Sequence, residues 1–117
     1  MDASKKIFDL ERVKAIALGD EGFVKVLLGA YIEGLNESLK KMEIAITDGD
    51  PKILATEAHK LKPTFGTLNN TEMEKVAFEI EVKAKNGESI DVLKPKFEEL
   101  KNFIPVLVEH LEEELND

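Results

Sequence analysis

The sequence predicts an all-α fold, an antiparallel up-down-up-down four-helix bundle with a short extra N-terminal helix. Three observations lead there: apolar residues recur at alternating spacings of three and four, no stretch alternates with the period of two that strands require, and Gly, Asn and Pro punctuate the chain at helix-length intervals. Four sizeable amphipathic helices joined by short loops bury their stripes most simply by packing antiparallel around one core.

The first short helix is expected from Asp9, as N-cap, to Ala17 or Leu18, with Gly19 as its stop. A long second helix carries Phe23, Leu27, Ala30, Tyr31, Leu35, Leu39, Met42 and Ile46 as its apolar face and ends at Asp48-Gly49. Asp50-Pro51 opens the third, with an N-capping carboxylate and a proline at the first helical position, where an N–H would have had no partner. Its stripe is Leu54, Ala58, Leu61, Phe65 and Leu68, and Asn69-Asn70 ends it. Thr71-Glu72-Met73-Glu74 reads as a capping box for the fourth helix, whose face is Met73, Val76, Ala77, Ile80 and Ala84 and whose stop is Asn86-Gly87. The last helix starts between Ser89 and Pro95 and presents Leu93, Phe97, Leu100, Ile104, Leu107 and Leu111. Pro63 and Pro105 fall inside continuous stripes, so they kink their helices instead of ending them.

With 117 residues the chain is read as a single domain, residues 1–117, long enough for one core. Hydrophobic residues make up 43% and charged ones 34%, a balance suited to a soluble helical domain and not to a disordered tail. Met1-Asp2-Ala3-Ser4-Lys5-Lys6 leads straight into charged amphipathic sequence, and no apolar run approaches the roughly 18 residues of a membrane span, so the expected place is the cytoplasm, without membrane contact. The net charge of −8 argues against a nucleic-acid partner, since phosphate backbones require clustered Lys and Arg. The chain has no cysteine, which excludes thiol catalysis and disulfide staples.

One segment, Ala55-Thr56-Glu57-Ala58-His59-Lys60-Leu61-Lys62-Pro63-Thr64-Phe65-Gly66, carries more than packing. His59 lies roughly 140° around the helix from the stripe centred near Leu54, and so faces water. Ala55, Lys62 and Gly66 share that flank at spacings i−4, i+3 and i+7. A mid-helix glycine costs about 1 kcal/mol relative to alanine, so small residues beside an exposed imidazole are read as room for a close approach. A lysine one turn away supplies a point charge for an anion carried on the ring. The set suits a histidine that accepts a phosphoryl group; the plainer alternative is a solvated surface histidine beside an ordinary lysine.

On these residues the run resembles the histidine phosphotransfer (HPt) domain family of two-component phosphorelays, whose motif is approximately His-x-Leu-Lys-Gly followed by small residues. His59, Leu61 and Lys62 match it, Gly66 matches a small position near the imidazole, and Ile80-Glu81 resembles a Leu-Glu pair on the next helix. The resemblance implies a phosphoryl carrier more than an enzyme: His59 as phosphoacceptor, Lys62 as phosphate-stabilising residue, and Ala55, Pro63 and Gly66 as the positions governing partner access and docking. The implied partners are response-regulator receiver domains, those of a hybrid histidine kinase included, and the expected state is a monomer. Docking is expected on the exposed side of the histidine helix and its neighbour on the second helix. No cofactor is expected on this chain, the Mg²⁺ being brought by the receiver. A chain that begins with Met and is filled by one domain leans towards a free-standing protein.

Pro63 departs from the motif by replacing the glycine after the lysine. It lacks the N–H that would bond the carbonyl of His59, so a bend is expected under the imidazole. This departure keeps open a second function, a phosphorylation-incompetent bundle that binds receivers or another protein as an adaptor. Other chemistries lack their parts. The two histidines, His59 and His110, form no Glu-x-x-His pair for a di-iron centre and no zinc set, so no metal is expected. Ser4, Ser38 and Ser89 lack any nucleophile motif, and without a Gly-rich phosphate loop no autokinase activity is expected.

Overall fold

The computed structural model describes residues 7–117, so the Met1 to Lys6 stretch, on which the expectation of no leader rests, lies outside the described residues. Five helices follow one another: α1 (Glu11–Ile16), α2 (Glu21–Asp48), α3 (Pro51–Thr67), α4 (Thr71–Lys85) and α5 (Ile90–Leu115). α2 packs on α3 and α5, and α4 packs on the same two, so the four long helices close a ring in chain order while α1 caps α2.

The stripes expected on the last three helices are the buried ones. Leu54, Ala58, Leu61, Phe65 and Leu68 from α3 and its C-cap meet Met73, Val76, Ala77, Ile80 and Ala84 from α4, and Leu93, Phe97, Leu100, Ile104, Leu107 and Leu111 from α5. On α2 the face is rotated by about one residue. Leu28, Leu35, Ser38, Met42 and Ala45 are its buried positions, whereas Phe23 and Ala30 are exposed. The first half of α2 is apolar all round, with Val24, Val26, Leu27, Leu28, Tyr31 and Ile32 in succession, so period alone leaves its inward direction open. Helix packing selects it.

The helix ends follow local chemistry. Asp20 Oδ1 accepts from Phe23 N at 3.0 Å, and Asp50 Oδ1 from Lys52 N at 3.0 Å, with Pro51 in the first turn. Gly49 closes α2 at φ +69, a left-handed conformation that residues with a Cβ rarely adopt. Two ends differ from expectation. α1 begins at Glu11 instead of beside Asp9, although Asp9 Oδ1 still accepts from Glu11 N at 3.1 Å. At α4 the cap is Asn70, whose Oδ1 accepts from Met73 N at 2.9 Å, and Thr71 is already helical. Asn69 takes the left-handed turn (φ 59) that ends α3, so the next residue is free to cap α4 and no linker is needed. Pro63, Pro95 and Pro105 all lie within unbroken helices.

The N-terminal segment ties down this α3–α4 turn. Asp9 N donates to Leu68 O, Asn69 Nδ2 to Asp9 Oδ1 at 2.7 Å, Asn70 Nδ2 to Ile7 O at 2.8 Å, and Arg12 Nη1 to Gly66 O at 2.8 Å. Each contact satisfies polar groups that a tight helix–helix connection would leave without partners.

Candidate functional site

α3 and α4 run antiparallel in a fixed register. A Cβ placed on Gly66 would lie 2.9 Å from Glu74 Oε2; Lys62 Nζ sits over the Phe78 ring, 5.1 Å from its centroid; His59 Nδ1 is 2.8 Å from Glu81 Oε2. The partners step down α4 as α3 climbs, which puts Ala55 level with Lys85. Gly66 and Ala55 are both buried on this seam. Both were expected to stand open beside the imidazole; instead they are covered, Gly66 by the Glu74 side chain. α3 lies between α2 and α4, so its buried arc spans about half its circumference and reaches positions that a single stripe would leave in water.

His59 stands at the rim of that arc, its side chain 67% exposed, while Glu81 beneath it is only 5% exposed. Glu81 is the hub of the site. Oε2 accepts from Lys85 Nζ at 2.8 Å as well as facing His59 Nδ1, and Lys62 Nζ lies 2.6 Å from Oε1. The Lys62 contact is an ion pair of poor hydrogen-bond direction, since Oε1 has no well-aligned donor. The ammonium groups of Lys62 and Lys85, opposed by desolvation and assisted by His59, lower the Glu81 pKa from 4.5 to about 2.

An ionised carboxylate only accepts hydrogen bonds, so the proton between His59 and Glu81 belongs to Nδ1. In the neutral form of the ring the lone pair is then on Nε2, the nitrogen away from Glu81. His59 opens on a shallow groove lined with Lys62, Pro63, Thr71, Glu74, Lys75 and Phe78. All of these belong to α3 and α4, so the open side of the histidine is shared with α4 and not with α2 as expected. The α2 side of α3 holds a separate cluster: Glu57, buried, accepts from Ser38 Oγ at 3.0 Å and from Lys60 Nζ at 3.2 Å. Lys60 is thereby drawn to the flank opposite His59, and Lys62 is the lysine of this run that shares the histidine's carboxylate. Pro63 is exposed beside the groove.

Sequence reasoning placed His59 and Lys62 and mentioned Glu81 only as half of a resembling pair; it passed over Lys85 and Phe78. A signal for Glu81 was present. It stands four residues after Ala77 and three before Ala84, inside an apolar stripe where an acid needs a partner. His110 is apart from the site, on α5, with Glu113 Oε1 4.0 Å from its Nδ1. Among the described residues no three His, Asp or Glu side chains gather as a metal site requires, and no helix is long and apolar enough to cross a membrane.

The sequence matches the Hpt domain family over residues 26–116, and the chain belongs to that family. It is a histidine phosphotransfer protein of phosphorelays, and HPt domains interact with response-regulator receiver domains. Two solved structures share its fold. The HPT domain of an Hpt sensor hybrid histidine kinase from Shewanella is 17% identical, with 94% of each chain covered and a TM-score of 0.80. Histidine-containing phosphotransfer protein B from Pseudomonas aeruginosa PAO1 is 19% identical, with 97% of each chain covered and a TM-score of 0.82. No curated protein matches the chain in sequence.

Proposed function

We propose that His59 is the phosphoacceptor of this chain and carries a phosphoryl group between receiver aspartates through its Nε2. The observation that carries this reading is the 2.8 Å contact from His59 Nδ1 to a buried, ionised Glu81, which leaves the nucleophilic nitrogen bare and outward. In the transfer, the Nε2 lone pair attacks the phosphorus of an aspartyl phosphate in line. The P–N bond forms as the P–O bond breaks, and the electron pair leaves with the aspartate carboxylate. No proton has to depart, because Nδ1 keeps its hydrogen and the positive charge that develops on the ring faces Glu81. Return transfer reverses each step.

Phosphoryl transfer depends on alignment and charge compensation more than on acid–base groups, and this site offers both. Packing fixes Glu81, Glu81 fixes the ring, and Lys62 and Lys85 supply positive charge. The docking face in this reading is the α3–α4 groove, where Pro63 and the exposed Phe78 give apolar contact and Lys75 a cation. Substituting proline for glycine changes that rim without covering the imidazole. The receiver would bring the Mg²⁺ and the machinery that activates its own aspartyl phosphate.

Incubation with a phosphorylated receiver tests the reading. Phosphate should move to this chain, remain acid-labile, and be absent from the His59→Gln variant. Stoichiometric binding without transfer would identify an adaptor instead.

A further inference from the structure

We infer that Phe78, on α4, is a positioning residue for phosphoryl transfer: its ring holds the Lys62 ammonium beside His59 without occupying the ammonium hydrogens. The inference rests on His59 being the phosphoacceptor and Lys62 its neighbouring charge. It goes beyond that reading in giving an exposed phenylalanine a task inside this chain, apart from any contact with a partner. Two observations carry it.

The first is the way Lys62 is held. Its Nζ lies 2.6 Å from Glu81 Oε1 and 5.1 Å from the centroid of the Phe78 ring. Phe78 and Glu81 stand three residues apart on α4, neighbours on one helix face, and the ammonium of α3 bridges them. Its contact with the carboxylate is an ion pair without the direction of a hydrogen bond, since the buried Oε1 has no aligned donor. The ring face attracts the cation through its quadrupole, which takes up no N–H either. Two undirected attractions therefore fix the charge and leave its three N–H groups for the oxygens of a phosphoryl group.

The second is exposure. The Lys62 side chain is 24% exposed, against 55% for Lys60 on the same helix and 64% for Lys85 on the same carboxylate. Phe78 is itself half-exposed and lies outside the core cluster, so burial in the bundle does not account for its place. What the ring covers is the lysine. A lysine stem is flexible, and an ammonium that swings into bulk water is screened from a phosphoryl group on His59. Phe78, Lys62 and His59 line one groove, so the charge is retained on the open side of the imidazole, where the phosphoryl group arrives.

The test uses the full chain in a His110→Gln background, so that His59 is the one histidine, phosphorylated by phosphoramidate without any receiver, which removes docking from the measurement. His59 Nε2 displaces ammonia, the new P–N bond forming as the old one breaks, and the ³¹P signal of the phosphohistidine gives the rate. Phe78→Leu keeps an apolar side chain and loses the ring face. It should slow acceptance about two- to fivefold, the loss expected of a partly exposed cation–π contact, and Phe78→Tyr should keep the parent rate. In a Lys62→Met background, where the stem remains and the charge is gone, Phe78→Leu should change nothing further. A ring that merely packs would not couple to that charge. A Phe78→Leu chain as fast as the parent, a slow Phe78→Tyr, or an equal loss with and without the Lys62 charge would overturn the proposal while His59 still carried phosphate. A Lys62→Met chain as fast as the parent would overturn it too, by removing the charge that Phe78 places. If no variant acquires phosphate on His59, the phosphoacceptor reading itself fails and this one with it.

Discussion

Replacing Glu81 with glutamine removes one negative charge from the centre of the site and nothing from its volume. The lowered pKa gives the scale: a drop from 4.5 to about 2, at about 1.4 kcal/mol per unit, bounds the stabilisation by these partners at about 3 kcal/mol. Two of those partners, His59 and Lys85, are mostly exposed and screened by solvent, which reduces the expected loss at pH 7 to about 1–2 kcal/mol. The pH dependence has a definite sign. A carboxyl whose folded-state pKa is depressed stabilises fully above its unfolded value and loses that contribution as pH falls towards its folded one. The gap between parent and Glu81→Gln should be complete above about pH 5, shrink to roughly two-fifths by pH 3, and close near pH 2. Urea unfolding at pH 7, 4 and 3, followed by far-UV circular dichroism, measures it. Glutamine can still accept from His59 Nδ1–H but leaves Lys62 and Lys85 without a counter-charge, so phosphoryl acceptance should slow as well. A gap unchanged between pH 7 and pH 3 would refute the assignment of an ionised hub.

The other substitutions separate neighbouring roles. Lys62→Ala should slow transfer from a phosphorylated receiver, more at low ionic strength than at high, whereas Lys60→Ala, which unpairs Glu57 on the opposite flank, should change transfer less; equal rates would remove Lys62 from the site. Pro63→Gly recovers an N–H worth about 1 kcal/mol and adds unfolded-state freedom of about the same size, so urea unfolding should move little while the rate or the preference among receivers changes. Gly66→Ala has to displace only the flexible end of Glu74, 2.9 Å from the new Cβ, and gains helix propensity, so stability should hold or rise by up to about 1 kcal/mol with transfer unchanged. Lost transfer at normal stability would return Gly66 to the partner surface.

Most of the architecture was legible because three of the four long helices have a single apolar stripe. On α3, α4 and α5 the three-and-four spacing names the buried residues directly. It failed on α2, where apolar residues surround the helix and only packing between α3 and α5 selects a face. It also misjudged the exposure of Ala55 and Gly66, because one helix read alone has no neighbours, and a small residue covered by another helix looks like a small residue in water. For the site, His59 and Lys62 could be found from positions on one helix. Glu81, Lys85 and Phe78 lie on another, and their distance from His59 depends on the α3–α4 register, which no local pattern encodes.

The nitrogen that carries the phosphate is the most direct point of decision. The chain, labelled with ¹⁵N and phosphorylated by a receiver, can be read by long-range ¹H–¹⁵N correlation of its imidazoles with ³¹P coupling. The geometry predicts phosphate on Nε2 of His59, with Nδ1 still protonated and hydrogen-bonded to Glu81. Phosphate on Nδ1 of His59, or on His110 alone, would contradict it.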